Sequence, residues 1–270
     1  IAAQPSLVVD PSLESGTAGS CSLLVSVEQD EVFLSLVERK TLKVLALEKL
    51  SLPFSNNNKY PHQIREKSQL MAQFPFANIR LSFSSKEYTF VPEALFKPGE
   101  EYKFYRLNFH SDLTSLVLIG HLQKYGMYCL YGISQNLADA FRSAFPDCKI
   151  YHFSEVILNN RFISSKNDNE RVVNLNVRDN VLDIVVTEGK KLVLMNSFTW
   201  QTIEDVLYYS LFICEQLGLN PEKNRLVISG NVERSSAIYK LLENYFSSIS
   251  FDELPGLKTG YGMESYSFEH

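Results

Sequence analysis

Between Val172 and Phe246 the sequence writes three strand-like runs before any helix, and that order restricts the fold more than any other feature. The runs are VVNLNV, VLDIVVT and KLVLMNSF, separated by Asp179-Asn180 and by Glu188-Gly189-Lys190. Each is rich in Val, Leu and Ile and bounded by turn residues. Gly189 suits a tight hairpin because glycine accepts positive φ. A helix is expected from Trp200 to Leu217, with Ile203, Leu207, Leu211 and Cys214 on one face. Thr202 and Asp205 resemble a capping box one turn inside that start, and Gly218 and Pro221 mark the stop. The strand RLVIS and a helix from about Val232 to Tyr245 follow. VLDIVVT is apolar except for Asp183, a buried carboxylate that requires a partner.

The same opening occurs earlier. CSLLVSV, EVFLSLVE and TLKVLALEKL run from Cys21 to Leu50, joined by Glu28-Gln29-Asp30 and Arg39-Lys40, after a short strand-like SLVVD. The polar run Ser164–Glu170 (SSKNDNE) separates the copies. The expected domains are therefore 1–163 and 171–270, the first with an insertion near 51–111. Within it, 51–61 reads as loop, 63–73 as a short helix, 78–84 with 87–91 as a hairpin, and 99–109 as helical. SLVLIGHL and YGMYCLYGI are strand candidates, and Ser134–Ala144 is a helix stopped by Pro146. KIYHF, a helix over 154–160 and a last strand over 248–251 complete the pattern. The tail from Leu254 has no periodicity.

Bulk properties bound the function classes. The chain is 45% hydrophobic and 21% charged, enough to bury a core. Its net charge of −5, without a Lys/Arg stripe, argues against nucleic acid as a partner. Cys21, Cys129, Cys148 and Cys214 are scattered in apolar surroundings, which suits thiols in a reducing compartment and a cytoplasmic location. No run approaches the ~20 apolar residues of a membrane helix. Ile1 opens no signal-peptide pattern, and a chain beginning without Met says nothing of what precedes it.

Two such halves resemble the actin-like ATPase superfamily, each half of which is ribonuclease-H-like, and Tyr131–Phe162 is similar to its pilus-assembly branch. The segments SCSLLVSVEQDEVFLSLVERK and SAFPDCKIYHFSEVILNNRF resemble a bacterial family of unknown function with this fold. The resemblance implies an α/β chain of two ribonuclease-H-like halves with mixed sheets. It also implies an ATP site between the halves, gripped by glycine-rich turns between the first two strands of each half and by a glycine pair. Backbone amides must approach phosphate oxygens closely, and side chains obstruct that approach. Here the first turn, Glu28–Glu31, and the second, Arg178–Asn180, carry no glycine, and the third element, Ser229-Gly230-Asn231, keeps one.

The expectation is a degenerate cleft marked by Glu28, Asp30, Arg178, Asp179, Gly230 and Asn231, with Arg178 its only cation. A binding or assembly role with a protein partner and no cofactor follows. The alternative is an ATP-dependent enzyme, ATPase or kinase-like, using ATP and Mg through atypical phosphate loops. Glu28, Asp30, Glu31 and Asp179 have the chemistry to hold a divalent ion, but the simpler role is as solvated turn residues. His110-Ser111-Asp112 has triad residue types without the convergence a triad needs. His121 and His152 lie in apolar strand runs and read as structural. The aromatic series Phe104, Tyr105, Tyr125, Tyr128 and Tyr131 reads as packing, and Trp200 as an anchor between helix and sheet.

Overall fold

A computed structural model describes residues 7–28, 31–85, 87–110, 115–164, 170–178, 180–252 and 258–259. It forms two compact units: Ile1–Ile157 with Gly256–Ser265, and Leu158–Pro255 with Tyr266–His270. The division falls inside one helix, ahead of the polar run at 164–170.

The first half begins with β1 (Leu7–Val9), α1 (Ser15–Ala18), β2 (Cys21–Val27), β3 (Glu31–Glu38) and β4 (Lys43–Ser51). The paired helices α2 (Tyr60–Lys67) and α3 (Gln69–Gln73) lead into β5 (Asn78–Phe83). Then come β6 (Tyr88–Pro92), α4 (Glu101–Asn108), β7 (Ser115–Leu122), β8 (Met127–Ser134), α5 (Gln135–Ala144), β9 (Lys149–His152) and α6 (Phe153–Ser164), the helix that bridges the two units. The main sheet runs β1-β4-β3-β2-β5-β9. β2 sits at its centre, antiparallel to β3 and parallel to β5, which is why CSLLVSV is buried along almost its whole length. Ser134 caps α5 by accepting from the Leu137 amide, and Leu137, Ala138, Ala140, Phe141 and Ala144 form its buried face. β6, β8 and β7 make a separate three-stranded sheet.

The second half holds β10 (Arg171–Val177), β11 (Val181–Glu188), β12 (Lys191–Thr199), α7 (Ile203–Gln216), β13 (Leu226–Gly230), α8 (Ala237–Glu243) and β14 (Ile249–Phe251). Its sheet runs β12-β11-β10-β13-β14. The last strand, β15 (Lys258–Thr259), returns to β4 of the first half's sheet.

The halves correspond strand for strand. β2 and β3 (21–27, 31–38) map onto β10 and β11 (171–177, 181–188) at a constant offset of 150, and β4 (43–51) maps onto β12 (191–199) at 148. Both sheets share the order third-second-first-fourth-fifth, with the first and fourth strands parallel. Even the bulge recurs, between Leu36 and Val37 in one half and between Val186 and Thr187 in the other. An irregularity at matched positions is a designed feature of the pairing. Each half has its own core, around Leu23, Leu34 and Phe141 in the first, and Leu175, Ile184 and Ile228 in the second.

Several expectations are corrected. Residues 78–84 and 87–91 are no hairpin: β5 pairs with β2 and β9, whereas β6 pairs with β8. The additional three-stranded sheet spans 88–134. The helix expected over 63–73 is two helices broken at Ser68. There the Glu48 carboxylate accepts from Ser68 Oγ (2.6 Å), Gln69 N (2.7 Å) and Leu70 N (3.1 Å). The capping box Thr202–Asp205 is itself the start of α7, and Trp200 precedes it. The final helix begins at Ala237, because Ser236 caps it by accepting from the Tyr239 amide.

Candidate functional site

In the second half the chain leaves β10 at Val177, which pairs with Gly230 at the end of β13. The Asn231 amide donates to the Val177 carbonyl (2.7 Å), and the Arg178 amide donates to the Val181 carbonyl (2.9 Å), closing the hairpin. Gly230 has φ +84°, a conformation that disfavours side chains. Arg178, Gly230 and Asn231 are thus brought together where two parallel strands end, the edge at which open α/β sheets present ligand sites. Asp179 and Asp30 lie outside the described residues.

Arg178 is buried, 4% exposed. Its Nε and Nη2 donate to Asp183 Oδ2 at 3.1 and 2.8 Å, and Ser197 Oγ donates to Asp183 Oδ1 at 2.5 Å. The Trp200 indole N–H donates to the Arg178 carbonyl at 2.9 Å. Asp183 therefore has the partner its burial required, and the guanidinium expected as a cation of the site is engaged inside its own half.

The first half places Glu28 at the position of Arg178. Its amide donates to the Glu31 carbonyl (3.0 Å), the same hairpin closure, and its side chain is buried. Glu31 pairs with Lys49 (2.7 Å), whose ammonium lies 5.4 Å from the Phe33 ring centre. Phe83, opposite Val27, stands where the second half has Gly230. Among the described residues no group of three or more His, Cys, Asp or Glu has an arrangement suited to a metal ion.

The remaining candidates scatter. Ser111 and Asp112 fall outside the described residues. His121 contacts Glu93 and stacks on Tyr128, 4.6 Å between centroids. Tyr105 and Tyr131 are fully buried; their hydroxyls donate to Glu87 Oε2 (2.8 Å) and the Ile150 carbonyl (3.0 Å). These aromatics are core and sheet packing. Trp200 packs against the second half's core.

Sequence reasoning missed one polar cluster. His152 Nδ1 lies 2.7 Å from Ser154 Oγ and accepts from the Ser154 amide (3.2 Å), and Nε2 lies 2.9 Å from the Ser85 carbonyl oxygen and 3.2 Å from the Ser85 amide. The Glu155 carboxylate accepts from the His152 backbone amide (2.8 Å) rather than from the ring. Ser, His and Glu here cap the start of α6; they do not form a nucleophilic triad. The signal was present as Glu three residues after His152. Burial pushes Glu155 up to about 7, and burial also pushes the Cys129 thiol, 3.4 Å from Ser154 Oγ, well above its ordinary range. A buried thiol so shifted is a poor nucleophile. Gly120 makes room for Glu155: a Cβ there would lie 2.0 Å from Oε2. A groove of about 360 Å³ lies near the start of β5, beside Arg65, Phe76 and Phe145, away from the strand ends that carry the turns.

A family model for a protein of unknown function, DUF3822, matches residues 10–249. The chain belongs to this family. No curated protein matches the sequence. A Bacteroides thetaiotaomicron protein, described as having an actin-like ATPase fold and unknown function, superposes with a TM-score of 0.76 at 19% identity, over 91% of this chain and 95% of that one. A chain of the PilM–PilN type IV pilus biogenesis complex superposes with a TM-score of 0.62 at 12% identity, over 90% and 92%. The ethanolamine utilization protein EutJ from Carboxydothermus hydrogenoformans gives 0.50 at 9% identity, over 92% and 88%. At these identities the likeness establishes the fold: this member of the family is an actin-like α/β chain of two ribonuclease-H-like halves. Among the described residues no helix is long and apolar enough to cross a membrane.

Proposed function

We propose that this chain is a non-catalytic binding or assembly protein built on an actin-like frame whose phosphate-binding turns are degenerate, and that it acts in the bacterial cytoplasm on a protein partner. The domains of this reading are 1–163 and 171–270, and its vestigial site comprises Glu28, Asp30, Arg178, Asp179, Gly230 and Asn231. One observation carries it. At the two turns that should cradle phosphate stand a buried carboxylate, Glu28, and an arginine already engaged with Asp183. A carboxylate repels a triphosphate, and a guanidinium committed to a buried ion pair cannot leave it without exposing the acid to a large desolvation cost. Phosphate chemistry depends on positioned backbone amides and cations, and neither turn supplies a glycine for close approach. The PilM–PilN structure supports a protein partner by example, since that relative is seen in a complex.

Calorimetric titration with ATP, with and without magnesium, tests this reading. The expected result is no binding tighter than about millimolar, a level worth ~4 kcal/mol. A micromolar, magnesium-dependent dissociation constant would overturn it in favour of an ATP-dependent enzyme.

A further inference from the structure

The duplicated halves differ at one sheet edge. In the first half the outer edge of β4 is covered twice. β1 pairs antiparallel with it, Leu7 opposite Glu48, Val8 opposite Leu47 and Val9 opposite Ala46, and β15 pairs with Lys43 and Val44. Covered in this way, Leu45, Ala46 and Leu47 are buried. At the residue that follows β1 the Asp10 amide donates to the Leu45 carbonyl (2.8 Å), and the Asp10 carboxylate meets Lys43 Nζ at 2.8 Å.

In the second half the equivalent strand is β12, and among the described residues nothing pairs with its outer edge. Val193, Leu194 and Met195, the counterparts of Leu45, Ala46 and Leu47, are only half-buried. Lys191 is the counterpart of Lys43 and is exposed, with no ion pair recorded among the described residues. A nine-residue edge strand of sequence KLVLMNSFT is long and carries the apolar run Leu192–Met195, and open edges of this kind take up extended chain through main-chain hydrogen bonds.

We infer that the β12 edge is a docking site for an extended segment of a partner protein, three apolar residues followed by a carboxylate, running antiparallel to β12 with the acid on Lys191. The first half supplies the template. Its own Leu7-Val8-Val9-Asp10 shows what this backbone accepts, in which direction and with which charge at which end. Transferred to the second half, the three apolar residues fall opposite Asn196, Met195 and Leu194, and the carboxylate reaches Lys191. The inference rests on the proposed protein-binding role for the expectation of a partner. It is independent of the phosphate turns, so a failed peptide titration and a positive nucleotide titration are separate results.

The probe is the heptapeptide Ser-Leu-Val-Val-Asp-Pro-Ser, the chain's own residues 6–12. It is titrated into the full-length deuterated protein while backbone amide signals are followed. The expected perturbations map to 191–199. Replacing the peptide's Asp by Lys should weaken binding roughly three- to tenfold, the scale of an exposed ion pair lost and reversed. Lys191→Glu should weaken the Asp peptide and restore the Lys peptide, and Lys191 is a surface residue whose replacement leaves the fold intact. N-methylation of the peptide's first Val, the counterpart of Val8, should abolish binding, since in the template alternate amides, those of Val8 and Asp10, face the paired strand. Perturbations confined to β4, which indicate exchange with its own β1, would overturn the proposal. So would indifference to the charge swap, or a stable dimer in sedimentation that buries β12 against a second copy.

Discussion

Replacing Arg178 with Met tests whether the second half depends on one buried ion pair. Arg178 and Asp183 are 4% and 2% exposed, and beyond the guanidinium the Asp183 carboxylate has the Ser197 hydroxyl as its recorded partner. Removing the arginine strands a carboxylate in the sheet, and breaking such a pair from one side costs about 3–5 kcal/mol. With a urea m-value of ~1.5 kcal/mol/M for a segment of this size, the unfolding midpoint should fall by about 2–3 M. The chain's single tryptophan provides the assay, because Trp200 donates to the Arg178 carbonyl and reports this half by fluorescence. The double variant Arg178→Met with Asp183→Leu should recover most of the loss, since a well-packed apolar pair often matches a buried ion pair. A single variant costing less than about 1 kcal/mol would show that the carboxylate is solvated or neutral, and the account of this hairpin would fail.

Two further perturbations follow from particular atoms. The Glu155 pKa is raised to about 7 by burial, so protonation favours the folded chain: its contribution is present below about 4.5 and lost as pH rises through about 7, a change of about 3 kcal/mol. Glu155→Gln should therefore be more stable than the parent at pH 8 and lose that advantage near pH 5, and thermal melts showing the reverse order would refute it. Gly230→Ala should destabilise by about 1–2 kcal/mol in urea titration, because φ is +84° there; an unchanged midpoint would mean the turn relaxes freely.

The duplicated opening was legible because each strand is a run of β-branched and apolar residues closed by turn chemistry. Side-chain alternation and turn residues act locally, so the sequence displays them. Parallel pairing is non-local. β5 precedes β6 closely enough to suggest a hairpin, yet its partners are β2 and β9, and nothing within residues 78–91 encodes that choice. The break at Ser68 was hidden for a similar reason, since its cause is Glu48, twenty residues away in a strand that reads as apolar. Asp183 announced the need for a partner, and strand arithmetic could have named it. Asn176 is opposite Asp183, so Arg178 lies diagonally on the same face, within reach of a long side chain. The cluster around His152 depended on recognising a capping box whose first residue is a histidine rather than serine or threonine.

The comparison of the halves separates what the backbone dictates from what the side chains add. Glu28, Phe33 and Lys49 occupy the positions of Arg178, Asp183 and Ser197, in the same register on the same three strands. In the second half the three side chains are linked in series, arginine to carboxylate to hydroxyl. In the first, Phe33 cannot receive a charge. Lys49 instead turns to Glu31 and to the face of Phe33, and a buried carboxylate, Glu28, stands at the turn in place of the arginine. One turn thus ends in a carboxylate and the other in a cation whose charge is met within the sheet. The hairpin geometry is common to both halves while the side chains placed on it differ, and that difference is the ground for the proposal that the phosphate turns are degenerate.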